Sequence, residues 1–140
     1  MAATPGLVSA ILVNWNSGPL LANCLGRLAA QTHPLLEIIV VDNASTDESL
    51  DSLRAGWAPG PPSDSGGADP RAIADRTVGQ APTLRIICNA ENAGFCRAVN
   101  QGIALAGGEF ILSLNPDVWL AHDFVALLVE TLRAAPAAGM

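Results

Sequence analysis

One stretch of this sequence constrains its fold more than any other: Glu109-Phe110-Ile111-Leu112-Ser113-Leu114, running straight into Asn115-Pro116-Asp117-Val118. The apolar saturation of its first half is the mark of a strand buried in a parallel sheet, and the pattern breaks abruptly at Asn-Pro-Asp. Pro116 cannot donate to a ladder, so pairing stops there and the chain turns. The strand thus ends on a carboxylate, Asp117. In open α/β sheets ligands bind beyond the carboxyl ends of the strands, so an acid at this place suits a hard cation and a phosphate. A plain polar turn, for which Asn, Pro and Asp are all favoured, explains the three residues equally well in isolation.

The rest of the chain repeats the pattern. Leu7 to Val13 reads as a buried first strand ending in Asn14-Trp15-Asn16-Ser17-Gly18-Pro19. Pro19 suits the first position of a helix, and Leu21, Leu25 and Leu28, with Leu20 and Cys24 beside them, give that helix an apolar face to about Gln31. His33-Pro34 ends it, and a lone His before Pro at a helix end reads as structural. Leu36 to Val41 is the second strand and also ends on an acid, Asp42. Ser45 and Glu48 have capping-box spacing, which predicts a helix from about Thr46 to Leu53 or Arg54, with Asp47 as a favourable first-turn acid. Residues 56–83 carry Pro59, Pro61, Pro62, Pro70 and Pro82 among Gly, Ser and Asp, and read as a long exposed insertion. Leu84 to Cys88 makes a third strand that opens into Asn89, Asn92 and Gly94. Ala98, Val99, Gly102, Ile103 and Ala106 then mark the inward face of a helix stopped by Gly107-Gly108. Phe124, Leu127, Leu128 and Leu132 mark a last helix to about Arg133, ended by Pro136. Alternating strands and helices require right-handed parallel crossovers, so the expected fold is α/β: a mostly parallel, doubly wound sheet with helices on both faces.

Composition narrows the function. Thirteen acids face seven arginines and no lysine, a net charge of -6. That balance argues against a nucleic-acid or acidic-membrane footprint. Three cysteines, Cys24, Cys88 and Cys96, have no metal-ligand spacing and read as reduced, small core residues of a cytoplasmic protein. The N-terminus has no basic segment ahead of an apolar one, and no apolar run reaches membrane-spanning length.

The strand ends share one chemistry: Asn14 and Asn16, Asp42 and Asn43, Asn115 and Asp117, with Asn89 and Asn92 after the third strand. Carboxylates do not hold phosphate directly, so a phosphorylated ligand here calls for a bridging divalent metal, and oxygen donors favour Mg²⁺ or Mn²⁺. Neither a dinucleotide-binding Gly-x-Gly-x-x-Gly nor a phosphate loop ending in Gly-Lys-Ser/Thr follows the first strand. The remaining fit is a metal-bridged nucleotide diphosphate.

Four motifs in order, Val-Asn-Trp-Asn-Ser, Glu-Ile-Ile-Val-Val-Asp-Asn-Ala-Ser-Thr-Asp preceded by Gln-Thr-His-Pro, Asn-Ala-Gly-Phe-Cys-Arg-Ala-Val-Asn-Gln-Gly and Leu-Asn-Pro-Asp-Val, resemble the inverting family 2 glycosyltransferases of GT-A fold. The likeness covers residues 7–133 apart from the Pro-rich insertion, so residues 1–140 are expected to form the nucleotide-sugar-binding half of such a domain. The Asn-Pro-Asp variant is similar to rhamnosyltransferase-like members.

The resemblance implies transfer of a sugar from a nucleotide-diphospho-sugar, with a pyrimidine base, to a glycan or lipid-linked acceptor in cell-surface polysaccharide synthesis. It implies an enzyme peripheral to the inner face of the membrane in its full-length form. Asn14, Asn16 and Asp42 match positions around the base and ribose, and Asn92, Gly94, Phe95 and Asn100 match the motif bordering the donor pocket. Asn115 and Asp117 match the family's Asp-x-Asp signature, with Asp117 as the metal ligand; Asn115 brings an amide where the signature has a charge. The family's carboxylate base lies in the second half of its domain, beyond residue 140, so no catalytic residue is nominated, and Asp123 and Glu130 read as solvated or capping groups. Two rivals stand beside this reading: a non-catalytic nucleotide-sugar-binding module or truncated remnant, and a sugar-phosphate nucleotidyltransferase. The latter needs a Gly-rich basic loop after the first strand, and Asn14-Trp15-Asn16-Ser17 is not one.

Overall fold

A computed structural model of the protein describes residues 2–56 and 82–138. Four strands, β1 (Thr4–Asn14), β2 (Leu36–Asp42), β3 (Thr83–Cys88) and β4 (Gly108–Leu114), form one sheet in the order β3-β2-β1-β4. Every pair is parallel, and the register sets Asn14 beside Asp42, Asp42 beside Cys88, and Leu12 beside Leu114. The carboxyl ends therefore finish nearly level, which brings the polar residues that follow them to one edge. Helices α1 (Pro19–Ala29), α2 (Asp51–Arg54), α3 (Phe95–Leu105) and α4 (Phe124–Ala134) connect or follow the strands, and a 3-10 turn closes at Pro136–Ala138. The strand order reverses between β1 and β4, the place where open α/β sheets leave a crevice.

Strand alternation sorts the core into two layers. Val8, Ala10 and Leu12 of β1 and Leu36, Ile38 and Val40 of β2 pack with Leu21, Cys24, Leu25 and Leu28 of α1 and Val125 and Val129 of α4. Ile11, Ile39 and Val41 point the other way and meet Ala98 of α3. With both faces covered, the run Ile38 to Val41 is fully buried, each side chain contributing about 1.5–3 kcal/mol relative to exposure. Alpha helix α3 reaches the sheet closely because it carries Gly102: a Cβ there would lie 2.5 Å from Ile11 Cγ2. Among the described residues β4 is covered on one face only, and Ile111 on its α3-side face is 45% exposed.

A buried polar joint holds the amino ends of the strands. Ser9 Oγ donates to Glu37 Oε1 at 2.5 Å, Gly107 N–H donates to the same oxygen at 2.7 Å, and Gly108 N–H donates to Ser9 Oγ at 2.9 Å. This fixes the α3–β4 turn on β1 and β2.

Several local expectations are overturned. The helix expected from Thr46 begins at Asp51 and has no side-chain cap, because Ser45 is engaged elsewhere: its N–H and Oγ both donate to Asp42. Asp47 is thus no first-turn acid of α2; its carboxylate accepts from Gly18 N–H at the start of α1. Ile103 is exposed, since Ala98 and Gly102 take the inward face of α3. On α4 the buried pair is Val125 and Val129, and Leu127 is exposed. Of the cysteines only Cys24 is a core residue; Cys88 and Cys96 are exposed. Burial pushes the Cys24 thiol up to about 11, against the pull of Arg27 and with a further push from Asp117, so it is an inert thiol. His33 is structural, its Nε2 donating to Gly6 O at 2.8 Å. Most of the Pro-rich insertion expected at 56–83 lies outside the described residues, and Thr83 already opens β3.

Candidate functional site

The carboxyl ends of β1 and β2 carry a buried frame. Asn14 is fully buried and Asp42 is 3% exposed. Asn14 Nδ2 donates to Asp42 Oδ1 at 2.8 Å and to Ser49 Oγ at 2.8 Å, while Ser17 Oγ donates to Asn14 Oδ1. Asp42 accepts from Ser45 Oγ at 2.6 Å on Oδ1 and from Ser45 N–H at 3.0 Å on Oδ2. Both residues, nominated for ligand contact, are thus turned on each other and on the two loops that leave the strands.

A clasp outside the frame joins those loops. Asn16, at φ 49°, points its amide oxygen at the N–H groups of Thr46 (2.7 Å) and Asp47 (3.3 Å), and its own N–H donates to Ser45 Oγ. Consecutive N–H groups of this kind form an anion-binding concavity, and here the Asn16 oxygen fills it. In return Asp47 accepts from Gly18 N–H at 2.7 Å and from Ser49 Oγ at 2.5 Å. The Ser49 hydroxyl holds this carboxyl below its ordinary value against the opposing effect of desolvation, with the Gly18 and Ser49 N–H groups adding to the lowering.

Above the frame lies an open cleft of about 360 Å³, lined by Val13, Trp15, Ser17, Asn43, Asn92, Gly94, Phe95 and Pro116. Its floor is the end of β1 and β2, one wall is the start of α3, and the opposite wall is the turn after β4. Gly94 holds φ 83° and ψ 161° at the N-cap of α3, a conformation open to glycine, and its N–H donates to Asn92 Oδ1 at 2.9 Å. Trp15 and Phe95 are 59% and 52% exposed, so two aromatic faces stand free at the mouth. A hollow of similar size, about 400 Å³, lies around Gly6, His33, Glu130 and Arg133 near the amino end of β1. It lacks the strand-end residues and sits at the edge of the sheet where α/β ligands do not bind.

Of the residues nominated from sequence, Asn92, Gly94 and Phe95 line the cleft, and Asn14, Asn16 and Asp42 build the support beneath and beside it. Asn115 and Asp117 are exposed on the turn that Pro116 presents to the cleft, a turn closed by Val118 N–H on Asn115 O. Asn100 is exposed on α3 and does not line the cleft. Among the described residues no group of three His, Cys, Asp or Glu side chains could hold a metal by itself. The donor set does fit a cation that arrives with its ligand: Mg²⁺ and Mn²⁺ sites on nucleotides use one or two carboxylates and complete the shell with phosphate oxygens and water. Asp117 supplies the charge and Asn115 an amide oxygen.

Five lining residues, Val13, Trp15, Ser17, Asn43 and Pro116, are not among those nominated from sequence. Of these Asn43 is legible there only as a strand-end amide, and Trp15 carries a signal of its own, since an aromatic directly after a buried strand is suited to stacking.

The level carboxyl edge, the 3-2-1-4 strand order and the cleft at the reversal define an α/β domain of the GT-A kind. The sequence profile of glycosyl transferase family 2 matches residues 9–56 and 64–140, and the chain belongs to that family. It is 25% identical over 127 residues to the glycosyltransferase GlyG of Streptococcus pneumoniae, covering 91% of this chain and 35% of that protein. Among solved structures, a mannosyltransferase from Pyrobaculum calidifontis in complex with GDP-Man and Mn²⁺ superposes with a TM-score of 0.67 at 26% identity, over 89% of this chain and 32% of that one. The S. aureus TarS 1-349 structure in complex with UDP-GlcNAc also gives 0.67, at 21% identity, over 91% of this chain and 31% of that one. The chain therefore spans about a third of the length of the relatives it matches. None of the described helices is long and apolar enough to cross a membrane.

Proposed function

We propose that this chain is the donor-binding half of a glycosyltransferase that moves a sugar from a nucleotide-diphospho-sugar to a glycan or lipid-linked acceptor, as in cell-surface polysaccharide synthesis, with rhamnose as the transferred sugar. The observation that carries the reading is the cleft itself: aromatic faces at its mouth, amides along its walls and Asp117 at its β4 rim. Trp15 and Phe95 are suited to stack on a base, and Asn43 and Asn92 to hydrogen-bond its edge or the ribose. A divalent ion held between Asp117 and the diphosphate would supply Lewis-acid stabilisation of the leaving group, as Mn²⁺ accompanies GDP-Man in the Pyrobaculum neighbour. The protein's own part is to hold base and ribose against the rigid strand ends and to keep the diphosphate over the Asn115–Asp117 turn.

The test is a calorimetric titration of uridine, deoxythymidine and guanosine diphosphates into the chain and its Asp117→Ala variant, with and without Mn²⁺. The reading expects binding that strengthens with Mn²⁺ and a loss of about 2–4 kcal/mol in Asp117→Ala, because a charge-assisted ligand bond is removed. A pyrimidine preference would appear as weaker guanosine diphosphate binding. Equal affinity with and without metal in both proteins sinks the metal role, and no binding of any nucleotide sinks the donor-site reading.

A further inference from the structure

Resting on that donor-site reading, we infer that Gln101, which does not touch the cleft, is a positioning residue for it, acting through a one-way relay of side-chain amides that ends on the backbone of Gly94.

The relay starts from a fixed polarity. Gly94 O is an acceptor only, so the Asn43 amide that meets it at 3.3 Å must present Nδ2. Asn43 Oδ1 then faces Asn89, which must answer with Nδ2, at 2.9 Å. The second hydrogen of that Nδ2 reaches Gln101 Oε1 at 2.9 Å, and Gln101 Nε2 returns a bond to Asn89 Oδ1 at 2.9 Å. One backbone carbonyl thereby sets the orientation of three side chains in turn. The paired bonds between Asn89 and Gln101 lock the far end, so reversing any member would set like atoms against each other.

The relay matters because of what it ends on. Gly94 has no side chain to hold it at φ 83°, and its carbonyl is already the first acceptor of α3, from Ala98 N–H at 3.2 Å. Asn43 is 2% exposed and directly follows β2, whose end is tied to that of β3 by Asn89 N–H on Asp42 O at 2.9 Å. The Asn43 bond therefore pins the start of α3, with Phe95 beside it, to the rigid ends of β2 and β3. Gln101 sits further along α3 and closes the loop by fixing Asn89. A glycine hinge at the wall of a binding cleft is thus restrained from the interior of its own helix.

Two measurements on Gln101→Met test this: the affinity for uridine diphosphate with Mn²⁺, and the backbone ¹H–¹⁵N resonances without ligand. Methionine keeps the length and removes both hydrogen bonds to Asn89. The expected outcome is a Kd raised about three- to tenfold, the range of one net hydrogen bond. The Gly94 and Phe95 resonances shift, while those of Asn14 and Leu12 in the strand frame stay in place. A purely structural role for Gln101 would lower the thermal midpoint and leave the Gly94 resonance and the affinity of the folded protein where they were, and that result overturns the inference. Where Gln101→Met fails to fold, Asn89→Asp serves: it keeps the acceptor for Gln101 Nε2 and removes the donor to Asn43, so Asn43 must turn its oxygen toward Gly94 O, with the same expected shifts and weakened binding. A parent protein that binds no nucleotide overturns the donor-site reading and the functional role of Gln101 with it. A parent that binds no more tightly than Gln101→Met overturns the relay alone.

Discussion

Substituting Gly102 by alanine puts one methyl group where the structure has no room for it. The added Cβ would lie 2.5 Å from Ile11 Cγ2, 3.3 Å from Ile11 Cγ1 and 3.4 Å from its Cδ1. Carbon atoms rest about 3.5–4.0 Å apart, so the nearest pair is too close by about 1 Å. Ile11 cannot move aside: it is fully buried, its β-branched χ1 is stiff, and its strand is paired on both sides, with β2 and β4. Helix α3 must therefore lift from the sheet. Overpacking of this kind costs about 1–3 kcal/mol, while exchanging glycine for alanine within a helix returns about 1 kcal/mol, so a net loss of up to about 2 kcal/mol is expected. Urea denaturation measures it as a lower midpoint at unchanged slope. The decisive comparison uses Ile11→Ala as background, where the obstructing atoms are gone. There Gly102→Ala should become neutral or stabilising, since only the helix-propensity gain remains. If Gly102→Ala stabilises the protein with Ile11 in place, the close-approach argument is wrong.

The remaining expectations concern buried and clasped carboxylates. Asp42→Ala should cost about 2–4 kcal/mol in urea denaturation, because it orphans the buried donor of Asn14 and the half-buried donors of Ser45, and nucleotide affinity should fall with it; unchanged stability with lost affinity would refute the supporting role and leave direct ligand contact. Glu37→Leu should leave Ser9 Oγ and Gly107 N–H without their acceptor and cost about 2–3 kcal/mol, whereas Glu37→Gln keeps an amide oxygen and should cost less; equal losses would refute the joint. Asp47 has a folded-state pKa below its unfolded value of about 3.9, so its contribution is present above that pH and disappears as pH falls through the lower folded value. Stability of the parent should thus fall more steeply below about pH 4 than that of Asp47→Asn, and superimposable acid profiles would remove the clasp from the account.

The strands were legible because their signal is local. Leu36 to Val41 is apolar throughout, and a run buried on both faces needs no partner to be recognised; the order of elements then fixed parallel pairing. What failed depended on which of several competing partners a polar residue takes, some near in the chain and some far. Ser45 and Glu48 have the spacing of a capping box, but the Asp42 carboxylate lies three residues back and takes both the Ser45 N–H and its hydroxyl. The start of α4 is satisfied by Gln31, whose Oε1 accepts from Val125 N–H across 94 residues of sequence, while Asp123 at the N-cap makes no side-chain cap. No short window of the sequence contains both Gln31 and Val125, and spacing alone does not say that Ser45 turns back to Asp42 rather than forward to a helix. The same limit applied to the site. The strand-end amides and acids were readable as a set, yet which of them would face the cleft and which would face each other depends on register: Asn14 lies level with Asp42, so the two neutralise each other's hydrogen-bonding capacity beneath the cleft. Asn43, one residue on, is left to reach the α3 wall.

The three sides of the cleft differ in how firmly they are held, and this orders the way a ligand would meet them. The floor belongs to β1 and β2, buried on both faces and locked by the Asn14–Asp42 frame and the Asn16–Asp47 clasp. The α3 wall depends on a close approach at Gly102 and a chain of amides, so it is rigid only while both are intact. The turn carrying Asn115 and Asp117 exposes both of those side chains; among the described residues its backbone closure is the 3.3 Å bond from Val118 N–H to Asn115 O, and Val118 anchors it on the core. On the proposed reading, base and ribose would dock against the preformed floor, and any ordering would be confined to the turn carrying Asp117 when diphosphate and cation arrive together. A carboxylate exposed on a wall of the cleft gains most from a ligand that brings its own counter-charge, which is the physical reason to expect metal and nucleotide to bind as a unit rather than in sequence.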